Sequence, residues 1–256
     1  MVFMQMEVVL ASRNAGKARE FERMLGSFFT VQPLNKEVVM PAETGITFAE
    51  NARIKAEAVF AAIDGSVAVL ADDSGLEVSV LAGAPGIYSA RYAGKAASDK
   101  ENIEKLLHDL EGLSEREARF VCNLCLIVPV TSNTSGVFLQ PAKSLLLSSS
   151  DKAKEHNQRA VGRVGSFSKG VVFEVRGLLE GTITETPRGK HGFGYDPVFC
   201  PQGWLLTLAE VLAEQKDALS HRAVAVKELV RVVSAHEVYG RKPGIPASPE
   251  ESNYGI

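Results

Sequence analysis

The stretch that most constrains this chain is Val67 to Gly75. Five apolar residues, Val67 to Ala71, read as a buried strand, and the run breaks off in two adjacent carboxylates, Asp72 and Asp73, followed by Ser74 and Gly75. The pattern predicts a strand that ends at the acids and presents them at the rim of an α/β sheet, where a hard cation is bound through oxygen. Taken alone, Asp-Asp-Ser-Gly reads equally as a turn. Two other stretches, a polar loop at Ser12–Lys17 and a Gly-rich loop around Phe193–Asp196, favour the site over the turn.

The first of these follows a short strand, Glu7 to Ala11, and precedes a helix whose Phe21, Met24, Leu25 and Phe28 share one face by spacing. A strand, polar turn and helix in that order present free backbone N–H groups and a positive helix end to a phosphate. Asn14 is placed to cap or to orient the turn. Lys17 is either a phosphate cation or an ordinary surface lysine. No Walker loop is present. A second helix opens with the capping box Thr47-x-x-Glu50 and buries Phe48, Ala52, Ala56, Val59 and Ile63. Glu43, just ahead of it, is a metal ligand or a solvated loop carboxylate. Ser98-x-x-Glu101 opens a third helix, with Ile103, Leu106, Leu107 and Leu110 inward.

Arg119 to Val130 reads as a strand that carries Cys122 and Cys125. Positions i and i+3 of a strand face opposite ways, so this C-x-x-C spacing predicts structural thiols rather than a metal pair. Thr131 to Ser168 reads as an irregular surface excursion. Gly170–Val175 and Leu178–Ile183 read as two antiparallel strands. In Gly192-Phe-Gly-Tyr-Asp-Pro197, glycines allow close backbone approach and the two aromatic rings offer flat faces, either for a base or as a hairpin anchor. Thr207-x-x-Glu210 predicts a helix to about Gln215. Ser220-His-Arg222 begins the last helix, where a cation opposes the helix dipole, so Arg222 needs a further reason to be there. The stretch from Tyr239 onward reads as a mobile tail.

A length of 256 residues suits one two-lobed domain over 1–240 with a tail at 241–256. A formal charge of -3 argues against an extended nucleic-acid groove or a polybasic membrane patch. The first residues lack the basic and long apolar regions of a signal peptide, and three cysteines fit a reducing compartment, so the expectation is a cytoplasmic protein.

Taken in order, these stretches resemble the inosine-triphosphate pyrophosphatase family, whose members hydrolyse non-standard purine nucleoside triphosphates. The matching pieces are Ser12-x-Asn-x-x-Lys17, the run from Glu43 to Ala56, Ala71-Asp-Asp-Ser-Gly75, Gly83-Ala-Pro-Gly-Ile-Tyr-Ser-Ala-Arg-Tyr92, Gly192 to Pro197 and Ser220-His-Arg222. The resemblance implies an α/β fold, with a long mixed β-sheet flanked by helices in two lobes around a central cleft, a homodimer, and Mg2+-dependent release of pyrophosphate. Ser12, Asn14 and Lys17 would then hold the triphosphate with backbone N–H groups, Lys55 would add charge there, and Arg13, Ala15, Gly16 and Asn51 would also bind substrate. Glu43 and Asp73 would bind Mg2+. Asp73 would also accept the proton, with Asp72 and Lys17 assisting catalysis. Ser74 would contact the substrate, Phe193, Gly194, Tyr195 and Asp196 would form the base-side loop with Phe193 as the stacking face, and Lys216, His221 and Arg222 would add further nucleotide contacts. Arg13 departs from the small residue common at that position, leaving a phosphate contact or an outward orientation open. The 131–168 stretch is longer than the family's.

Overall fold

The computed structural model describes residues 6–130 and 160–236. The expected tail at 241–256, and the expected excursion up to residue 159, lie outside the described residues. The described elements are strands β1 (Met6–Leu10), β2 (Phe29–Pro33), β3 (Ala68–Val78), β4 (Glu117–Pro129), β5 (Ala160–Phe167), β6 (Gly170–Ile183) and β7 (Phe199–Pro201), with helices α1 (Ala15–Leu25), α2 (Phe48–Ala62) and α3 (Asp99–Asp109) interspersed before β4 and α4 (Ala213–Leu219) and α5 (His221–Ala235) after β7. They form one mixed sheet in the order β2-β1-β3-β4-β6-β5, with β7 on the end of β6. β1 runs parallel to β2 and β3, and the remaining pairings are antiparallel.

Two faces and two ends organise the core. On one face α1 and α5 bury Phe21, Leu25, Ala225 and Leu229 against Leu70, Leu124 and Phe173. On the other, α2 lays Ala52, Ala56 and Val59 over Val69, Ala71 and Ile127. The far end has its own cluster, in which α3 meets Leu76, Phe120, Val198 and Phe199. Capping follows the sequence: Asn14 Oδ1 accepts from Lys17 N, Thr47 Oγ1 from Glu50 N, and Ser98 forms a reciprocal box with Glu101. Cys122 packs on the α1/α5 face and Cys125 on the α2 face, as strand alternation required.

Several expectations are corrected. β3 does not stop at the acids but continues to Val78, so Asp72 and Asp73 lie in mid-strand. Continuous pairing with β4, Asp72 opposite Leu124 and Asp73 opposite Asn123, holds the polar residues in the ladder. The two strands read at Gly170–Ile183 are one, β6. Gly177 marks no turn. A Cβ there would lie 2.2 Å from His221 O and 2.4 Å from Ala225 N, so glycine is needed for α5 to lie on the sheet. Residues 160–167, placed in the excursion, pair with β6 as β5; two glycines and exposed Arg163 blur their alternation. α1 ends at Leu25, leaving Phe28 beyond it and 43% exposed. Thr207 N does bond Glu210 Oε2, but only a turn forms, and the helix waits until Ala213 because Leu212 is extended.

Candidate functional site

The cleft opens where β1 stops and β3 continues. β1 pairs with β3 only up to Leu70, and past Ala11 the chain turns into the loop that opens α1. Beyond that point side chains from both faces of β3 reach the same gap, a cavity of about 470 Å³. Ser12, Arg13, Asn14 and Lys17 line one wall and Glu43 and Lys55 another, with Asp72, Asp73 and Ser74 on the floor. Phe193, Gly194, Tyr195, Asp196, His221 and Arg222 close the far side.

Each acid on the floor has its own lysine. Asp72, on the α1/α5 face, pairs with Lys17 through Oδ2 and also accepts from Ser74 Oγ (3.1 Å) and from the thiol of Cys122 (3.2 Å). Burial pushes its proton affinity up, but Lys17, Arg222 and Lys55 outweigh burial and hold the carboxyl well below the usual range. Asp73, on the α2 face, takes Lys55 Nζ at 2.8 Å. There burial prevails over Lys55 and Lys17 and raises the carboxyl above its ordinary value. Lys55 also donates to Glu43 Oε1 at 2.8 Å, and Arg91 reaches Glu43 Oε2 at 3.1 Å. Burial of Glu43 is outweighed by these two cations, and its proton affinity falls. Burial opposes the charge of Lys55 too, yet Asp73 and Asp72 overcome it and keep the ammonium charged.

A second charged cluster lies at the far side. Glu20, buried on α1, accepts from Lys216 of α4 (2.7 Å) and Arg222 of α5 (2.9 Å). Lys216 also pairs with Asp196, and Arg222 donates to Ser74 Oγ at 2.8 Å. Both cations lie over the Phe193 ring, 4.7 and 5.2 Å from its centre. The other constraint on that ring is Gly16, where a Cβ would come within 2.8 Å of Phe193 Cδ1. His221 stacks on Phe120 at 4.7 Å, and among the described residues neither its ring nitrogens nor Arg222 Nε has a hydrogen-bond partner. Burial, reinforced by Arg222 and Lys216, keeps His221 neutral, well below its ordinary proton affinity.

The structure brings most of the expected residues to the cleft, but not all. Asn51 is fully buried behind it, with Oδ1 accepting from Gly45 N at 2.8 Å. It lies one helical turn before Lys55 and is too short to follow it. Ala15, Gly16 and Lys216 also lie off the lining. Arg13 is exposed at the cleft wall, and its guanidinium donates to the carbonyls of Leu34, Asn35, Lys36 and Val38, tying this loop to the segment after β2. The sequence pattern assigned no role to Glu20 or Arg91. Glu20 had a signal, three residues past Lys17 and so on the same side of α1.

A profile of the Ham1 family matches residues 8–143 and 142–232. The chain is similar to a dITP/XTP pyrophosphatase of Listeria innocua, 42% identical over 228 residues that make up 87% of this chain and 92% of that protein. It is similar also to the dITP/XTP pyrophosphatase of Bacillus subtilis, 37% identical over 240 residues, 90% of this chain and 98% of that one. Among solved structures, a HAM1 protein from Coxiella burnetii superposes with a TM-score of 0.66 at 35% identity, covering 90% of this chain and all of that one (100%). The Staphylococcus aureus Ham1 protein gives 0.65 at 34% identity, over 90% of this chain and 98% of that one.

Proposed function

The chain belongs to the Ham1 family, and we propose that its cleft hydrolyses non-standard purine nucleoside triphosphates, dITP, XTP and ITP, to the monophosphate and pyrophosphate. The observation that carries this reading is the pairing of two polyphosphate-type cations, Lys17 and Lys55, with the adjacent acids Asp72 and Asp73 in a cleft whose other wall holds the buried His221 ring and the Nε of Arg222, without partners among the described residues. One end suits a polyanion and the other a purine edge.

The triphosphate lies against the N-terminus of α1, where free backbone N–H groups, Ser12, Asn14 and Lys17 receive it. Lys55 adds a second full charge from the opposite wall. Glu43 and Asp73 fit Mg2+: both are oxygen donors, and one oxygen of each already faces the same point, the Lys55 ammonium. Bound there, Mg2+ would neutralise phosphoryl charge as a Lewis acid. Asp73 is the group to orient water and take its proton: a metal held beside it would keep it ionised, while its neighbour Asp72 is committed to Lys17. Attack at the α-phosphorus leaves pyrophosphate. Asp72 keeps Lys17 in place and is too strongly clamped to serve as the base.

Selection against adenine falls on purine position 6; guanine carries the same oxygen there, so its rejection has to act on its 2-amino group. Arg222 and backbone N–H groups of the Phe193–Asp196 loop donate to an oxygen at position 6 and are left unpaired by an amino group, a penalty of about 1–3 kcal/mol per donor. A homodimer and a cytoplasmic location go with this reading. The test is a substrate panel with product analysis. We expect Mg2+-dependent pyrophosphate release from ITP, dITP and XTP, far faster than from ATP or GTP. Orthophosphate as the first product, or equal turnover of ATP, rejects the proposal. Asp73→Asn should abolish turnover in a folded protein.

A further inference from the structure

Resting on the proposed role of Glu43 and Asp73 as Mg2+ ligands, we infer that Lys55 is an internal counter-ion that closes these carboxylates to a free divalent cation. They open only to metal that arrives with a nucleotide. The ammonium is 2.8 Å from Glu43 Oε1 and 2.8 Å from Asp73 Oδ1, and its side chain is only 7% exposed. It stands at the point where the two carboxylates converge.

Charge balance supports exclusion of the free ion. Glu43 and Asp73 contribute two negative charges; Lys55 and Arg91, both hydrogen-bonded to Glu43, contribute two positive ones. A dication entering alone would find a neutral cluster with two cations already seated. Even under full water screening, two unit charges about 3 Å apart repel enough to cost about tenfold in affinity.

Donor number points the same way. Among the described residues no three His, Cys, Asp or Glu side chains converge as a metal cluster. Two carboxylates leave most of an octahedral shell to other oxygens, and a triphosphate brings both the oxygens and the negative charge. It also gives Lys55 somewhere to go. Lys17, Ser12 and Asn14 line the same cleft, so a polyphosphate bound against them offers Lys55 phosphate oxygens in exchange for carboxylate ones. Nucleotide and metal are then strongly coupled, each raising affinity for the other by the same factor.

The experiment titrates Mn2+ into the whole nucleotide-free protein and counts free ion by electron paramagnetic resonance. The parent should bind Mn2+ at this site only weakly. Lys55→Met should bind one Mn2+ about tenfold tighter or better, and Lys55→Met with Glu43→Gln should lose that gain. Thermal unfolding checks that each variant is folded. Lys55→Gln replaces Lys55→Met if the latter is not, and the parent titration alone stays decisive. If the parent already binds one Mn2+ as tightly as Lys55→Met, and Glu43→Gln removes it, the counter-ion role is wrong while the metal ligands stand. If Lys55→Met gains nothing, the counter-ion role is likewise overturned. The Mn2+ requirement of pyrophosphate release in Glu43→Gln then separates the two failures: a shifted requirement leaves the metal ligands in place, an unchanged one removes them as well.

Discussion

Glu20→Ala tests whether the buried cluster at the far side of the cleft is held together by one carboxylate. Glu20 is 4% exposed and reaches Lys216 at 2.7 Å and Arg222 at 2.9 Å, cations on two different helices. Its burial would favour the neutral acid, but Arg222 and Lys216 outweigh that and keep it ionised. Removing it leaves Lys216 with Asp196, and Arg222 with Ser74 Oγ, the nearby charge of Asp72 and the Phe193 ring 5.2 Å away. Breaking a buried ion network from one side costs about 3–5 kcal/mol, because the charges left behind stay desolvated. For a domain of this size each kcal/mol is about 2–4 °C in Tm, so the expected loss is roughly 6–20 °C. Glu20→Gln keeps the shape and some hydrogen bonding and should fall short of that. The assay is thermal and urea unfolding followed by circular dichroism. A cycle with Arg222→Met should show a coupling of about 1–3 kcal/mol. A Glu20→Ala protein within about 0.5 kcal/mol of the parent, the range of an ordinary surface change, would refute the reasoning.

Gly177→Ala should destabilise by about 3 kcal/mol in urea unfolding, since the atoms a Cβ meets are backbone of α5 and cannot rotate away. His221 is neutral when folded but has a proton affinity near 6.5 when unfolded. Its contribution is therefore complete above pH 6.5 and declines as pH falls below it. By pH 5.5 the parent should have lost about 1.4 kcal/mol relative to His221→Phe, measured as the difference between their urea midpoints at pH 7.5 and 5.5. Cys122 and Cys125 are buried with thiol proton affinities pushed up by desolvation, so Ellman's reagent should reach them only in denaturant, where the titration counts three free thiols with Cys200.

Local signals were legible in the sequence wherever the relevant interaction is local. The caps at Asn14, Thr47 and Ser98 form the expected bonds because donor and acceptor lie three residues apart. The same rule misled at Thr207, where the bond forms but Leu212 interrupts the helix, and at Gly177, where a glycine read as a break serves a helix packed across the sheet. In the site, the residues of the cleft were readable as types in a pattern, but their partners were not. Lys55 joins Glu43 to Asp73, and Glu20 joins Lys216 to Arg222, across sequence separations of up to 202 residues. Glu20 also answers why a cation sits at the positive end of α5: Arg222 is paired with a buried carboxylate from another helix. No sequence pattern fixed Arg13 on the carbonyls of residues 34–38, because those acceptors belong to backbone and any sequence supplies them.

The mid-strand position of the acids is what lets two adjacent carboxylates differ. In a turn at the end of a strand, Asp72 and Asp73 would share one environment, compete for the same cation and raise each other's proton affinity. In β3 the alternation of side chains sends Asp72 toward α1 and α5 and Asp73 toward α2, so each meets a lysine from a different helix. Three cations then hold Asp72 ionised, while burial dominates at Asp73. Both still reach one cleft, because β1 ends at Leu10 and β3 runs on past it. A single strand that outlasts its parallel neighbour thus places two adjacent carboxylates in one cleft in different environments, one clamped by Lys17 and one held by Lys55.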